Sequence, residues 1–177
     1  MAFESVGLPF EVGTLSAWLV WILPFAAAMI IPGVGKLSKH ATGYVAVAFA
    51  LMSALSAATM IPVALEAHEL HHQVMWIESL GLKGGVLADP LSIIMANVVG
   101  WISFLIMIYS TGYMKGDKDI TRFWFWMMFF IGSMQLIVLS DNLLQVFFGW
   151  EGVGLASYAL ISFWYRDKKK DHVGVEG

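Results

Sequence analysis

Five long apolar stretches divide the chain, and short polar segments separate them. The stretches cover residues 14–31, 41–64, 91–113, 123–139 and 143–165. Each is close to or above the roughly 20 residues that an α-helix needs to cross a bilayer. None alternates strictly between apolar and polar positions, as the strands of a membrane barrel do. The pattern therefore predicts an all-α fold, a bundle of five transmembrane helices that forms a single membrane domain over residues 1–177.

Composition agrees with a membrane protein. Hydrophobic residues make up 59% of the chain, charged residues only 13%, and the mean hydropathy is +0.74. Such a composition excludes an ordinary water-soluble globule. Residues 1–13 contain two glutamates and no basic residue, so a cleaved signal peptide is not expected. We expect an integral protein of a prokaryotic plasma membrane or an organelle membrane.

Basic residues are distributed unequally between the two sides of the predicted bundle. One side carries nine of the ten: Lys36, Lys39, Lys115, Lys118, Arg122, Arg166, Lys168, Lys169 and Lys170. Lys83 is the tenth and lies on the other side. By the positive-inside rule, the N-terminus and segment 65–89 are predicted outside, and the C-terminus is predicted in the cytoplasm.

Several cofactor classes have no residues to hold them. The chain has no cysteine, and its five histidines all fall outside the predicted helices. Iron–sulfur clusters and haem between the helices are therefore not expected. One cluster has the residue types of a metal site but matches no closed structural site: Glu66, His68, Glu69, His71 and His72. A solvated turn is the preferred interpretation, and we expect no metal, no cofactor and no nucleic-acid partner in this chain.

The outer segments contain signals for a hairpin and a helix cap. Gly81 and Gly84, within segment 65–89, are compatible with a small β-hairpin packed on the bundle. Before the fifth helix, Asp141 or Asn142 can cap the helix, and capping is the preferred role for Asp141 over one in a proton path. Aromatic residues near the predicted helix ends indicate interface belts: Trp18, Trp21, Tyr113, Trp124, Trp126, Trp164 and Tyr165.

Three polar side chains fall at membrane depth. Asn97 and Gln135 lie in the third and fourth predicted helices, where such amides usually bond to a neighbouring helix. A role in a proton path is the alternative for both. Glu151, in the fifth helix, is more unusual, because a carboxylate there costs at least about 2 to 3 kcal/mol of insertion free energy. Counted from Asn142, it lies about 13 Å into the membrane, near the midplane.

Small residues surround Glu151. Gly149, Gly152 and Gly154 leave room for a neighbouring helix backbone or for water beside the carboxylate. Tyr158, seven residues further on, lies on nearly the same helical face and either extends a proton path or only packs. Desolvation and a nearby cation shift the pKa of a buried carboxyl in opposite directions. A cation that approaches and withdraws can therefore make Glu151 release and bind a proton. The alternative is that Glu151 stays neutral and only packs against its neighbours.

A resemblance to a known family narrows the choice between these two roles for Glu151. The string GWEGVGLASY, residues 149–158, closely resembles the fifth helix of the antiporter-like membrane subunits of respiratory complex I, of the subunit L or chain 5 type. Residues 87–124 also resemble the third helix, its connector and the start of the fourth. The resemblance implies inverted five-helix repeats and no redox centre in this subunit. It also implies that Glu151 belongs to the proton-translocating machinery, paired with an intramembrane lysine two helices later.

The chain departs from this family in length and in its lysines. Family members have many more helices than five, and every lysine here lies outside the predicted spans. We therefore expect either one piece of a split subunit or a fragment of a longer chain. Its partners are then other membrane subunits of a complex I-like assembly, including a polypeptide that supplies the remaining antiporter helices, and the lipid bilayer.

These inferences lead to one functional hypothesis and two rivals. The chain is expected to be the N-terminal part of a proton-translocating, non-redox subunit of an NADH-quinone oxidoreductase or related translocase, with Glu151 transferring the proton. Within the transport class, an Mrp-type cation/proton antiporter or a membrane-bound hydrogenase subunit shares the same helix motif. A purely structural membrane subunit without a transport role is the rival from another class.

Overall fold

A computed structural model describes residues 10–78 and 82–164. Five of its helices are long and apolar enough to cross a membrane, which confirms the predicted helical bundle of five spans. The chain continues outside the described residues at 165–177, so the basic cluster and the Tyr165 anchor predicted there lie outside the description. The elements, in chain order, are α1 (Phe10–Leu37), α2 (Lys39–Ala58), α3 (Ile61–Leu65), β1 (Leu70–Ile77), β2 (Leu82–Ala88), α4 (Pro90–Tyr113), α5 (Ile120–Leu139) and α6 (Leu143–Ile161).

Helices α1 and α5 extend further than the apolar pattern indicates, whereas α6 ends at Ile161, before the predicted end at residue 165. The connector expected at 32–40 is mostly helical, because α1 continues through Pro32 to Leu37 and only Ser38 separates it from α2. Proline in a helix interior removes one backbone hydrogen bond, and α1 accommodates this loss at both Pro24 and Pro32. The second span is interrupted instead, by a turn at residues 59–60 just before Pro62, and α3 completes it.

Two clusters of buried side chains hold the bundle together. Near the hairpin, residues of α1, α2, α4 and both strands pack against one another, among them Val20, Met60 and Ile93. At the opposite end, Trp124 is only 1% exposed and lies among residues of α1, α2 and α4. A Cβ atom at Gly43 would lie 3.1 Å from the Trp124 ring, which shows how closely α2 approaches it. The interface-belt role predicted for Trp124 is therefore wrong, since its ring fills the core.

The predicted hairpin is present between α3 and α4. Strands β1 and β2 pair antiparallel from Leu70 with Ala88 to Met75 with Lys83. The pairing becomes irregular beyond Met75. Leu70, Val86 and Ala88 are buried, so one face of the hairpin closes the end of the bundle. We call this the hairpin end, and we call the opposite end, where Lys36 and Lys39 lie, the basic end.

Asp89 joins the hairpin to α4. Its carboxylate accepts a hydrogen bond from the backbone N–H of Ser92 at 2.6 Å and caps the helix. This hydrogen bond is the main reason why the pKa of Asp89 lies below its ordinary value of 3.8. A proline follows at the first helical position, where the missing N–H costs nothing. The Asp-Pro pair therefore fixes the start of α4 at the membrane boundary.

Candidate functional site

Helix α6 meets the rest of the chain through its small residues. Gly149, Gly152 and Ala156 are buried, and they recur at the spacing of one helical face. A Cβ atom at Gly149 would lie 2.6 Å from Ile137 Cγ1 and 3.0 Å from the backbone oxygen of Ser133. The backbone of α6 therefore packs directly on α5, as glycine allows in membrane helices.

The three glycines near Glu151 do not share one role. Gly149 and Gly152 face α5, and a Cβ at Gly152 would collide with the Ser133 hydroxyl. Gly154 has no atom within 4 Å of its Cβ position among the described residues. Two of the glycines thus position α6 against this chain's own helix, and the third belongs to the open side of α6.

Glu151 lies on that open side of α6. Its side chain is exposed, and neither a hydrogen bond nor an ion pair reaches it from any described residue. Large apolar side chains flank it, with Phe147 at 55% and Leu155 at 53% exposed. Only 17% of the apolar stretch of α6 is buried within the chain, against 39% in α5. Of the five spans, α6 is therefore the one least buried within the described part of the chain, and Glu151 lies on its exposed side.

Tyr158 shares the exposed face with Glu151. Its ring is 57% exposed. Seven residues separate the two side chains, which places them about 10 Å apart along the helix axis. The two side chains are too far apart for direct contact, but they lie along one line on the same surface of α6.

Asn97 and Gln135 lie elsewhere, inside the bundle. Gln135 is completely buried and its Nε2 donates to the backbone oxygen of Ala96 at 3.0 Å. Asn97 Nδ2 donates to Ala57 and Ile93 oxygens, both at 2.9 Å. These bonds connect α5 to α4 and α4 to α2, as expected for interhelical amides.

The structure does not bring these amides to Glu151. Ser133 of α5 faces α6, and Gln135, two residues further on, points about 200° away around the helix. The amide oxygens of Asn97 and Gln135 are buried and accept no hydrogen bond from the described residues. They form a separate polar region between α2, α4 and α5, with the whole width of α5 between it and Glu151.

The turn before α6 is tied to the hairpin. Asn142 caps α6, since its Oδ1 accepts from the backbone N–H of Gln145 at 2.9 Å. The capping role predicted for Asp141 is therefore wrong. Asp141 instead accepts from Gln73 Nε2 at 2.8 Å and lies 3.5 Å from His71 Nε2, with its side chain only 1% exposed. The carboxylate points back at the hairpin because only one of the two adjacent side chains can reach the helix N-terminus.

The histidines of the hairpin have individual partners. His71 faces Asp141, His72 Nδ1 accepts from Trp18 Nε1 at 3.2 Å, and His68 lies 3.8 Å from Glu66. Within the described residues, no three His, Asp or Glu side chains are grouped to hold a metal ion. These residues act as contacts of the hairpin with α1 and with the turn before α6.

Arg122 holds the other end of α6. One of its guanidinium nitrogens donates to the backbone oxygen of Phe163, and its guanidinium carbon lies 4.9 Å from the centre of the Phe163 ring. A cation at a helix C-terminus compensates the carbonyl groups exposed there. The residue pairs that fix α6 at its two ends are 41 and 68 positions apart in sequence, so no periodicity or spacing indicated them.

This arrangement defines a class of membrane subunit. In the described residues, the five spans carry one carboxylate, midway along α6 and on its exposed side, and glycines on another face fix that helix to its neighbour. Two family models match the chain. The N-terminus of chain 5 of NADH-ubiquinone oxidoreductase (complex I) matches residues 75–124, and the transmembrane region of NADH:quinone oxidoreductases and Mrp antiporters matches residues 140–176, which include Glu151.

Individual relatives agree with the family models. Subunit L of NADH-quinone oxidoreductase from Rickettsia bellii is 38% identical over 165 residues, which cover 90% of this chain and 26% of the relative. Subunit L from Escherichia coli is 34% identical, covering 85% and 26%. Chain 5 of NADH-ubiquinone oxidoreductase from Dictyostelium citrinum is 38% identical, covering 81% and 22%. The chain spans about a quarter of the length of the curated relatives that it matches.

A solved structure shows the same fold. In the Mrp complex from Dietzia sp. DQ12-45-1b, one chain superposes with a TM-score of 0.71 at 27% identity, covering 82% of this chain and 16% of that one. The chain belongs to the antiporter-like membrane subunits of the complex I and Mrp family. The model of the chain 5 N-terminus and the subunit L relatives both match, so the family indicated by the GWEGVGLASY string is confirmed.

Proposed function

We propose that this chain is the N-terminal part of a proton-translocating subunit of a complex I-like membrane oxidoreductase, in which Glu151 binds and releases a proton. The observation that carries the proposal is the position of Glu151, midway along the apolar helix α6 and on its exposed side. Electron transfer belongs to other subunits of the assembly, because the sequence has no cysteine and the one histidine within the described spans, His40, lies in the first turn of α2 at the end of the bundle.

The energetic argument concerns the surroundings of Glu151. A charged side chain that faces lipid at the bilayer centre costs at least about 2.5 to 3.5 kcal/mol. In the working assembly, the open face of α6 must therefore meet water or another polypeptide. The relatives are about four times longer than this chain, so helices are available in such proteins to cover the face.

A proton-loading group also needs a partner whose position changes. Withdrawing a cation from a desolvated carboxylate increases its proton affinity, and returning the cation expels the proton. The described lysines all lie in connectors, in the hairpin or at helix ends: Lys36, Lys39, Lys83, Lys115 and Lys118. The cation that alternates beside Glu151 is therefore supplied by helices outside the described part of the chain.

Pumping at constant electron flow tests the proposal. Glu151→Gln keeps the size of the side chain but removes the titratable proton, and Glu69→Gln, an exposed carboxylate at the hairpin end, is the matched control. Inverted membrane vesicles are energised with the electron donor, and acidification is measured by quenching of a pH-sensitive dye alongside donor oxidation. We expect less acidification per donor oxidised for Glu151→Gln alone, with the complex assembled normally. Normal pumping at full redox turnover would refute the proton-transfer role of Glu151.

The Mrp neighbour supports a second candidate, a cation/proton antiporter subunit. The two candidates differ in their driving force. An antiporter of this kind exchanges protons for sodium in vesicles that carry an imposed pH gradient and no electron donor. Sodium-dependent collapse of such a gradient, abolished by Glu151→Gln, would favour the antiporter. If the Glu151 variant leaves transport intact and deletion of the chain dismantles the assembly, the chain is a structural subunit.

A further inference from the structure

A cavity at the basic end lies far from Glu151 and serves no part of the proposed proton transfer. Its volume is about 590 Å³, within the roughly 300–1,000 Å³ typical of sites for small molecules. It opens between the last turn of α1 and the first turn of α5. Four basic residues line it: Lys36, Lys39, Lys118 and Arg122.

These basic residues reach the cavity from two segments of the chain. Lys36 and Lys39 lie on either side of the junction between α1 and α2, and Lys118 and Arg122 lie in the connector before α5 and in its first turn. Lys39 Nζ donates to the backbone oxygen of Lys118 at 2.9 Å, which holds the two segments together. The positive-inside rule requires only that basic residues lie on one side of the membrane. It does not explain why these basic residues surround a single cavity.

Charge in the cavity is unbalanced. Asp119 is the single acidic residue among the described residues that line it. No salt bridge within 4 Å joins Lys36, Lys39 or Lys118 to a carboxylate in the described part of the chain. Among the described residues that line the cavity, basic side chains therefore outnumber acidic ones by four to one, and Lys36, Lys39 and Lys118 give this lining its attraction for an anion.

The floor of the cavity is apolar and aromatic. Pro32 of α1 lies there with Phe125 and Trp126 of α5, both only partly buried. Tryptophan is favoured where the hydrocarbon layer meets the headgroups. A soluble anion would gain nothing from an apolar floor. A phospholipid, in contrast, can place its phosphate beside the basic residues and an acyl chain on the aromatic floor. Basic pockets between membrane helices are known to take anionic headgroups.

We propose that this cavity binds one anionic phospholipid, with its phosphate beside Lys36, Lys118 and Arg122 and the start of an acyl chain on Phe125 and Trp126. Arg122 also holds the backbone oxygen of Phe163 at the end of α6. A bound lipid therefore steadies the basic end of the helix that carries Glu151. The inference does not depend on proton transfer, since it concerns charge and shape at a separate site.

Lipid titration of the purified, delipidated complex tests the proposal. The double variant Lys36→Gln/Lys118→Gln removes two charges from the cavity. The matched control, Lys115→Gln/Lys83→Gln, removes two lysines that do not line it. Phosphatidylglycerol, phosphatidylcholine and inorganic phosphate are each added, and the thermal midpoint of the complex is followed. We expect phosphatidylglycerol alone to raise the midpoint, and the cavity variant to need about 30-fold more lipid, from the attraction that each basic residue contributes.

Three results would overturn the proposal. Equal responses of the cavity and control variants would place the lipid elsewhere. An equal effect of inorganic phosphate would indicate a site for soluble anions, and an equal effect of phosphatidylcholine would exclude charge recognition. A second experiment, photocrosslinking of a phosphatidylglycerol analogue to the unaltered complex, needs no substituted protein and so does not depend on whether a variant folds. Labelled peptides must include Phe125 or Trp126, and labelling only at other helices would refute the site.

Discussion

Alanine in place of Gly149 tests whether α5 holds the helix that carries Glu151. A Cβ atom at position 149 would lie 2.6 Å from Ile137 Cγ1 and 3.0 Å from the backbone oxygen of Ser133. Carbon atoms attract each other best at about 3.5–4.0 Å, so the new methyl group overlaps Ile137 by about 1 Å. The Ile137 side chain can rotate, but the Ser133 oxygen and the Ile137 nitrogen, at 3.2 Å, belong to the backbone. The two helices must therefore separate.

The expected cost follows from this overlap. Overpacking a well-packed interface destabilises by about 1–3 kcal/mol. For a chain of this length, each kcal/mol lowers the melting midpoint by roughly 2–4 °C, so we expect Gly149→Ala to melt about 2–12 °C below its control variant. Gly154→Ala is the matched control, because no described atom lies within 4 Å of its Cβ position. Alanine gains about 1 kcal/mol of helix propensity over glycine at either position, and this gain cancels in the comparison.

The assay compares the two variants in the purified complex. Samples are heated stepwise in mild detergent, and the fraction of this chain that stays soluble and bound to the complex gives the midpoint. Gly149→Ala should melt below the unaltered protein, and Gly154→Ala should melt at the same temperature or slightly above it. Equal midpoints for the two variants would refute the packing of α6 on α5 through its glycine face.

Two further predictions concern carboxylates at the hairpin end. The hydrogen bond from Ser92 lowers the pKa of Asp89, so its contribution to stability is present above the ordinary pKa of 3.8 and is lost as the pH falls through the lowered value. Asp89→Asn keeps the cap and should flatten the fall of the thermal midpoint below about pH 4, and an unchanged acid profile would contradict it. Asp141→Ala removes the acceptor for Gln73 and should speed protease cleavage of the hairpin several-fold, whereas Asp117→Ala at the basic end should leave that rate unchanged.

The helices and the hairpin were predictable because their signals are local. An apolar run of about 20 residues has few alternatives in a membrane, since only a helix pairs all of its backbone groups there. Glycines beside short β-forming runs likewise indicated the hairpin. The extension of α1 through Pro32 was not predictable from propensity, because proline disfavours a helix interior and the apolar run ends one residue before it.

The candidate site was predictable only in part. The residue type and depth of Glu151 were evident, because an ionisable group in an apolar run stands out in any sequence. Which face of α6 it occupies was not evident, because the apolar residues surround that helix almost evenly. The roles of Trp124 and Asp141 were also not evident from the sequence, because both depend on residues distant in the chain. The core position of Trp124 depends on the space left by Gly43 of α2, and the role of Asp141 depends on Gln73, 68 positions earlier.

The contact between the hairpin and the turn before α6 constrains how the protein is made. The hairpin is synthesised before α4, but Gln73 finds its acceptor in Asp141, 68 residues later, and Gly85 finds Gln145, 60 residues later. Two more spans must therefore enter the membrane before the strands can dock. Until then, Gln73 and Gly85 lack these partners and meet water instead. Insertion of α4 and α5 is thus the step that brings the turn before α6 to the hairpin and allows the two to dock.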